Sequence, residues 1–201
     1  MYTGQGGVEM DRAGLRELLH RHQPADATEE GHRQRMLALL DVEGDPFARA
    51  HVEPGHFTAS TFVLSTDGRR LLLIFHGKLH LWLQPGGHID AGDSDVFAAA
   101  RREATEETGL LALGRERGFP DLLDLDIHPI PPNPRKGEPA HEHFDVRIVL
   151  RADHERAVAG SDALDVKWVD LDGIEDVDTD ESVMRAVRKL RGSRRAARPS
   201  S

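Results

Sequence analysis

The residues best suited to chemistry stand together in ARREATEETGL (100–110). Glu103, Glu106 and Glu107 fall at i, i+3 and i+4, which puts three carboxylates on one face of a helix. Like charges at that spacing repel, and only Arg101 and Arg102 stand close enough in sequence to offset them. Three clustered carboxylates offer hard oxygen ligands to a divalent cation. Mg²⁺ held in this way keeps several waters and bridges to substrate phosphates. Spacing alone describes a solvated acidic stripe equally well, so the surroundings must decide. A strand leads into Pro85-Gly86-Gly87, a short acidic loop follows, and Ala98, Ala99, Ala100 and Ala104 let the next helix pack closely on a sheet. The two glycines let the loop backbone approach a ligand or metal.

Other elements must position that helix. Leu15, Leu18 and Leu19 within 9–21, and Met36, Leu37, Leu39 and Leu40 within about 27–40, predict two helices. Asp26 or Thr28 is the expected cap of the second, and Asp45-Pro46 marks a break. FTASTFVLS (57–65) and RLLLIFH (70–76) flank Asp67-Gly68 and predict a β-hairpin. A short strand is expected at 80–84 and the acidic helix at 95–108, with Ser94 or Asp95 as N-cap and Gly109 at its end. Strands follow at about 122–129, 143–151 and 165–170, and a last helix at about 180–191. This order predicts an α/β sandwich with a mixed sheet, not a regularly alternating parallel fold. Domain bounds are expected at 1–50 for an N-terminal helical extension, 51–191 for the catalytic unit and 192–201 for a basic flexible tail.

The stretch PIPPNPRKGEPAHE (129–142) reads as a long loop, and long loops in compact domains are often functional. Arg135 and Lys136 within it offer positive charge to substrate phosphates. His141 and His143, two apart at the start of a strand, face the same way and with Glu142 form a candidate substrate-binding group. His56, His76, His80 and His88 lie near strand ends and are read as structural.

Composition removes several classes of function. The chain has no cysteine, which excludes disulfides, thiolate zinc sites and cysteine nucleophiles. A net charge of −9 fits broad nucleic-acid binding poorly, although RAVRKLRGSRRAARPSS (185–201) is basic. No apolar run is long enough for a membrane span, and MYTGQGGVEMDRAGL shows no leader, so a cytoplasmic location is expected.

GGHIDAGDSDVFAAARREATEETGL (86–110) resembles the Nudix box. Gly87 is followed by five residues and Asp93; after eight more come Arg102, Glu103, Ala104, Thr105, Glu106, Glu107, Thr108, Gly109 and Leu110. The second half matches the family pattern in full. In the first half, Asp93 stands where the family has glutamate, and one extra residue separates it from Arg102. The resemblance implies a Nudix-type α/β/α sandwich over roughly 50–178. It also implies metal-dependent hydrolysis of a phosphoanhydride in a nucleoside diphosphate linked to another group.

By the same resemblance, Gly87, Glu103, Glu106 and Glu107 would hold Mg²⁺ or Mn²⁺, and Arg102 would orient a box carboxylate. The general base is open among Glu107, Glu103, Glu138, Glu142, Asp162 and Asp165, with the box preferred. The expected partner is a nucleotide-type small molecule, with no membrane, no nucleic acid and a possible homodimer through the N-terminal helices. Isopentenyl diphosphate isomerase shares the fold but relies on a cysteine that this chain lacks. A non-catalytic binding module of the same family is the alternative, and such modules commonly lose the glutamates retained here. The loop 131–143 is expected to supply specificity.

Overall fold

The computed structural model describes residues 10–160 and 163–196. The second half of the expected basic tail (197–201), the first nine residues of the extension and Asp162 lie outside the described residues. In chain order the elements are α1 (Arg12–Arg21), α2 (Ala27–Leu39), β1 (Gly55–Leu64), β2 (Arg70–His76), β3 (Leu81–Leu83) and β4 (Gly86–His88). Then come α3 (Val96–Thr108), β5 (Leu113–Arg115), β6 (Asp124–Ile130), β7 (His141–Ala152), β8 (Ala163–Asp170), a 3₁₀ turn (Leu171–Asp176) and α4 (Glu181–Ala196).

β1 is the centre of the sheet. All ten of its residues are buried, as expected for a strand covered on both faces. It runs parallel to β7 in unbroken register from Gly55 opposite Glu142 to Leu64 opposite Arg151. β2 and β4 pair with β1 antiparallel, β3 and β8 pair with β2, and β5 and β6 pair with β7. The sheet is therefore mixed.

Alternation along the strands sorts two cores. Phe57, Ala59, Val63, Phe144, Val146 and Leu125 face α1, α2 and α3 through Leu15, Leu19, Met36, Leu39, Ala99, Ala100 and Ala104. Phe62, Leu64, Leu71, Leu73 and Val149 face α4, whose Val183, Ala186, Val187 and Leu190 recur at helical spacing. Helices on both faces give the α/β/α sandwich. α1 and α2 share the core with the sheet, and Asp11 N–H reaches the Ser94 carbonyl at 3.0 Å.

Two elements depart from the reading of the sequence. β4 is a strand of two glycines and a histidine, residue types whose weak strand preference hides it. The expected long loop at 129–142 is shorter, because β6 continues to Ile130 and β7 begins at His141. Pro129 fits inside β6 because, among the described residues, that strand pairs only with β7, leaving a side where no N–H is needed. Between them a tight turn is closed by Asn133 and Glu138, whose backbones bond at 2.8 and 3.1 Å.

Candidate active site

Helix α3 is pinned at both ends. Asp95 caps it by accepting the Ala98 N–H at 2.8 Å, and Gly109 ends it in the left-handed conformation at φ 69°. The last-turn carbonyls, which a helix leaves unpaired, are met by a returning segment. Val158 N–H bonds the Thr108 carbonyl and Gly160 N–H the Glu107 carbonyl, both at 2.8 Å. A Cβ on Gly160 would lie 1.8 Å from the Glu106 carbonyl oxygen, so this approach requires glycine.

The buried alanines hold α3 against the sheet and turn its carboxylates toward β4. Glu107 is buried, and its Oε2 accepts the Gly86 N–H at 2.9 Å. A Cβ on Gly87 would sit 2.7 Å from the Glu103 carboxyl carbon, so glycine makes room for that carboxylate beside the strand. Burial raises the pKa of Glu103; Arg102 opposes this, while Glu106 and Asp90 add to it. Glu106 is more exposed and lies 3.3 Å from Arg102 Nη1.

Arg102 ties the group together. Its Nη2 donates to Asp93 Oδ2 at 3.0 Å and to the His88 carbonyl at 2.8 Å, and its Nη1 donates to Glu103 at 3.0 Å. Its Nε lies 3.2 and 3.3 Å from the two Asp93 oxygens. Asp93 is buried and also accepts the Asp90 N–H at 2.9 Å. The shorter carboxylate thus reaches the arginine despite the extra residue before it.

Gly87, Arg102, Glu103, Glu106 and Glu107 therefore share one region, while the other candidates divide. His141 and His143 point to the opposite face of the sheet, their ring centroids 5.3 Å apart. Glu142, between them, turns to the α2 side and pairs with Arg35. Arg135 is exposed on the turn at 131–140. Glu138 pairs with Arg49 at 2.6 Å, and Asp165 is exposed with its carboxylate on the following N–H. No described helix is long and apolar enough to cross a membrane.

Sequence reasoning missed a convergence of imidazoles. His56 lies opposite His143 in the β1–β7 register, and His88 follows Gly87 with its side chain on the other face of β4. Ring centroids are 4.9 Å apart for His56 and His143, 5.2 Å for His56 and His88, and 5.1 Å for His88 and His143. Burial pulls the His88 pKa down to about 4, assisted by Arg49, and that of His143 to about 2, assisted by His128. His56 is lowered by burial as well. His76 and His80 remain at the β2–β3 turn, where the His80 N–H bonds the His76 carbonyl at 2.9 Å. No local signal marks the trio, because strand pairing assembles it. His141 and His143 were legible only as two residues on one strand face.

A family model for the NUDIX domain matches residues 54–188. The chain is 32% identical over 110 residues to a probable DHNTP pyrophosphohydrolase of Lactococcus lactis subsp. cremoris (strain MG1363), a match covering 54% of this chain and 62% of that protein. It is 43% identical over 61 residues to an RNA pyrophosphohydrolase of Bradyrhizobium diazoefficiens, covering 30% of this chain and 36% of that protein. The chain thus spans less than two thirds of the length of either relative. Among solved structures it is similar to RenU, a hydrolase from M. Smegmatis, with a TM-score of 0.52 at 16% identity over 73% of this chain and 89% of that one. It is also similar to a MutT protein from Methanosarcina mazei Go1, with a TM-score of 0.50 at 16% identity over 71% and 95%. At such identity these two structures speak for the fold alone.

Proposed function

The chain belongs to the Nudix family, and from that membership we propose that it is a metal-dependent hydrolase. Its reaction is cleavage of a phosphoanhydride in a nucleoside diphosphate linked to another moiety. The observation that carries this reading is the junction of β4 and α3. Gly86 holds Glu107, Gly87 makes room for Glu103, and Arg102 braces Glu103 from Asp93.

The donor set fits a hard divalent cation. Its atoms are carboxylate oxygens, and burial together with the neighbouring Glu106 and Asp90 raises the pKa of Glu103 even beside Arg102, so a cation placed there would offset that crowding of negative charge. Glu103, Glu106 and Glu107, with the Gly87 carbonyl, would hold Mg²⁺ or Mn²⁺. Such an ion, when bound, offsets phosphate charge and lowers the pKa of a coordinated water. Arg102 then acts by keeping the Glu103 carboxylate in place. Glu107 or Glu103 is the preferred base, because both stand at the β4–α3 junction, whereas Glu138 and Glu142 pair with Arg49 and Arg35 outside it. The pyrophosphohydrolase names of the two curated relatives support the reaction class, and a nucleotide-type small molecule is the substrate class.

The test is product release from a panel of nucleoside triphosphates and nucleoside diphosphate derivatives, with Mg²⁺ or Mn²⁺, in wild type and Glu107→Gln. Loss of a carboxylate that holds the metal or takes the proton from water should lower turnover by about a hundredfold or more. Equal rates in the two proteins would sink the assigned role of Glu107. No turnover on any substrate would favour a non-catalytic binding module.

A further inference from the structure

The second face of the sheet carries a site of different chemistry. His56, His88 and His143 each offer a ring nitrogen, and these atoms all lie within 4.8 Å of one another. They come from β1, β4 and β7, three strands joined by backbone pairing. His56 is fully buried, and its Nδ1 lies 3.1 Å from the His51 carbonyl. A carbonyl only accepts, so Nδ1 carries the proton and Nε2 presents a lone pair. That Nε2 is buried and has no hydrogen-bond partner among the described residues. Metal-ligating histidines are oriented in this way, the far nitrogen donating to a backbone carbonyl.

We propose that His56, His88 and His143 form a binding site for a borderline divalent transition-metal ion, of which Zn²⁺ is the best-matched, separate from the carboxylates of α3. Imidazole nitrogen suits Zn²⁺, Ni²⁺ or Cu²⁺, whereas Mg²⁺ and Mn²⁺ prefer oxygen. Tetrahedral ligands about 2.1 Å from an ion stand roughly 3.4 Å apart, so small side-chain rotations close the trio on the metal. Three protein ligands leave a fourth position for water or a substrate oxygen. His141, whose ring centroid is 5.1 Å from that of His56, stands at the rim, its Nδ1 2.9 Å from the Pro139 carbonyl. Arg49, a cation close by, is paired with Glu138. A purely packed trio would leave the His56 lone pair desolvated without return, which is the reason to prefer a ligand over filler. The ion would staple β4, and with it Gly86 and Gly87, to the centre of the sheet.

The test uses the full chain stripped of metal, titrated with Co²⁺ by visible absorption and with Zn²⁺ by calorimetry. Wild type and Glu107→Gln should each show, apart from any octahedral Co²⁺ at the carboxylates, one ion with the intense spectrum of low-coordinate, nitrogen-bound Co²⁺. His88→Gln and His143→Gln should bind that ion more than about tenfold more weakly. Unchanged affinity in both histidine variants would overturn the site, and so would loss of the low-coordinate signal in Glu107→Gln. Should a histidine variant fail to fold, the wild-type spectrum decides: bands of all-oxygen octahedral Co²⁺ alone, or no binding, end the proposal. The outcome is independent of hydrolysis, since zinc binding is read without substrate.

Discussion

The carboxylate side and the imidazole side of this sheet meet at one short strand, and they are built in opposite ways. Glu103, Glu106 and Glu107 are neighbours because one helix makes them so, within five consecutive residues. His56, His88 and His143 are neighbours because a parallel pairing and an antiparallel pairing bring distant segments together. β4 serves both. Its alternation turns Gly87 toward Glu103 and His88 toward His56, while the His88 carbonyl holds Arg102. A site made by local spacing survives small shifts of the sheet; a site made by register is lost when a strand slips by one residue.

The largest expected effect is on the strand the two sides share. A Cβ on Gly86 would lie 2.3 Å from the Cβ of Ser60 and 2.6 Å from its Cα, on the buried central strand. Gly86→Ala should therefore push β4 away and damage both sides at once. Overpacking of this kind costs about 1–3 kcal/mol. Melting temperature, hydrolysis and Co²⁺ binding should fall together. Loss of only one of the two functions would show that β4 does not couple them.

Next in size is Arg102→Lys, which separates the sides. Lysine cannot reproduce the fork that reaches Asp93, Glu103 and the His88 carbonyl together. Hydrolysis should drop about 10–100-fold, the usual effect of removing a group that orients a metal ligand. Co²⁺ binding at the histidines should stay within about twofold, because only the backbone of His88 touches this arginine. Parallel loss of both would mean that the two centres are one.

This contrast also explains what the sequence disclosed. The hairpin at β1–β2, the capped helix α3 and the helices α1, α2 and α4 were legible because caps, turns and periodicity are local. The box glutamates were legible for the same reason. Asp93 looked like a weakened box position, yet it is the buried partner of Arg102. His56 and His88 looked structural, since no spacing rule links residue 56 to residue 143. Glu142 looked like a partner of its two histidine neighbours, but strand alternation sends it to the other face. Gly160 carried no signal at all, although its N–H caps the turn that bears Glu107.

A smaller, pH-gated effect belongs to neither side and calibrates both. Glu29 on α2 is fully buried among His22, Lys189 and the backbone N–H of Ala25 and Leu125. Burial alone would raise its pKa, but the hydrogen bonds from His22 and Lys189 hold it at about 2, below the ordinary 4.5. A depressed carboxylate stabilises the fold above the unfolded pKa and loses that contribution as pH falls through the folded one. Melting temperature should thus decline as pH drops from about 4.5 toward 2, and Glu29→Gln should flatten that decline. An unchanged slope in the variant would place the acid sensitivity elsewhere, with the paired aspartates Asp124 and Asp126 the next group to examine.

The smallest effect is the one that best tests the division of faces. Arg35 pairs with Glu142 and lies 5.3 Å from the ring centroid of Phe144, on the α2 side of β7. Both charged groups are partly exposed, so the pair contributes at most about 1 kcal/mol. Arg35→Ala should shift stability by no more than that and leave KM, turnover and Co²⁺ binding unchanged. The outcome matters because Glu142 sits directly between His141 and His143 in the chain. A rise in KM would mean that Glu142 reaches substrate after all, as its neighbours in sequence suggest. An unchanged KM means that alternation along β7 outweighs adjacency, and that the imidazole face ends at His141.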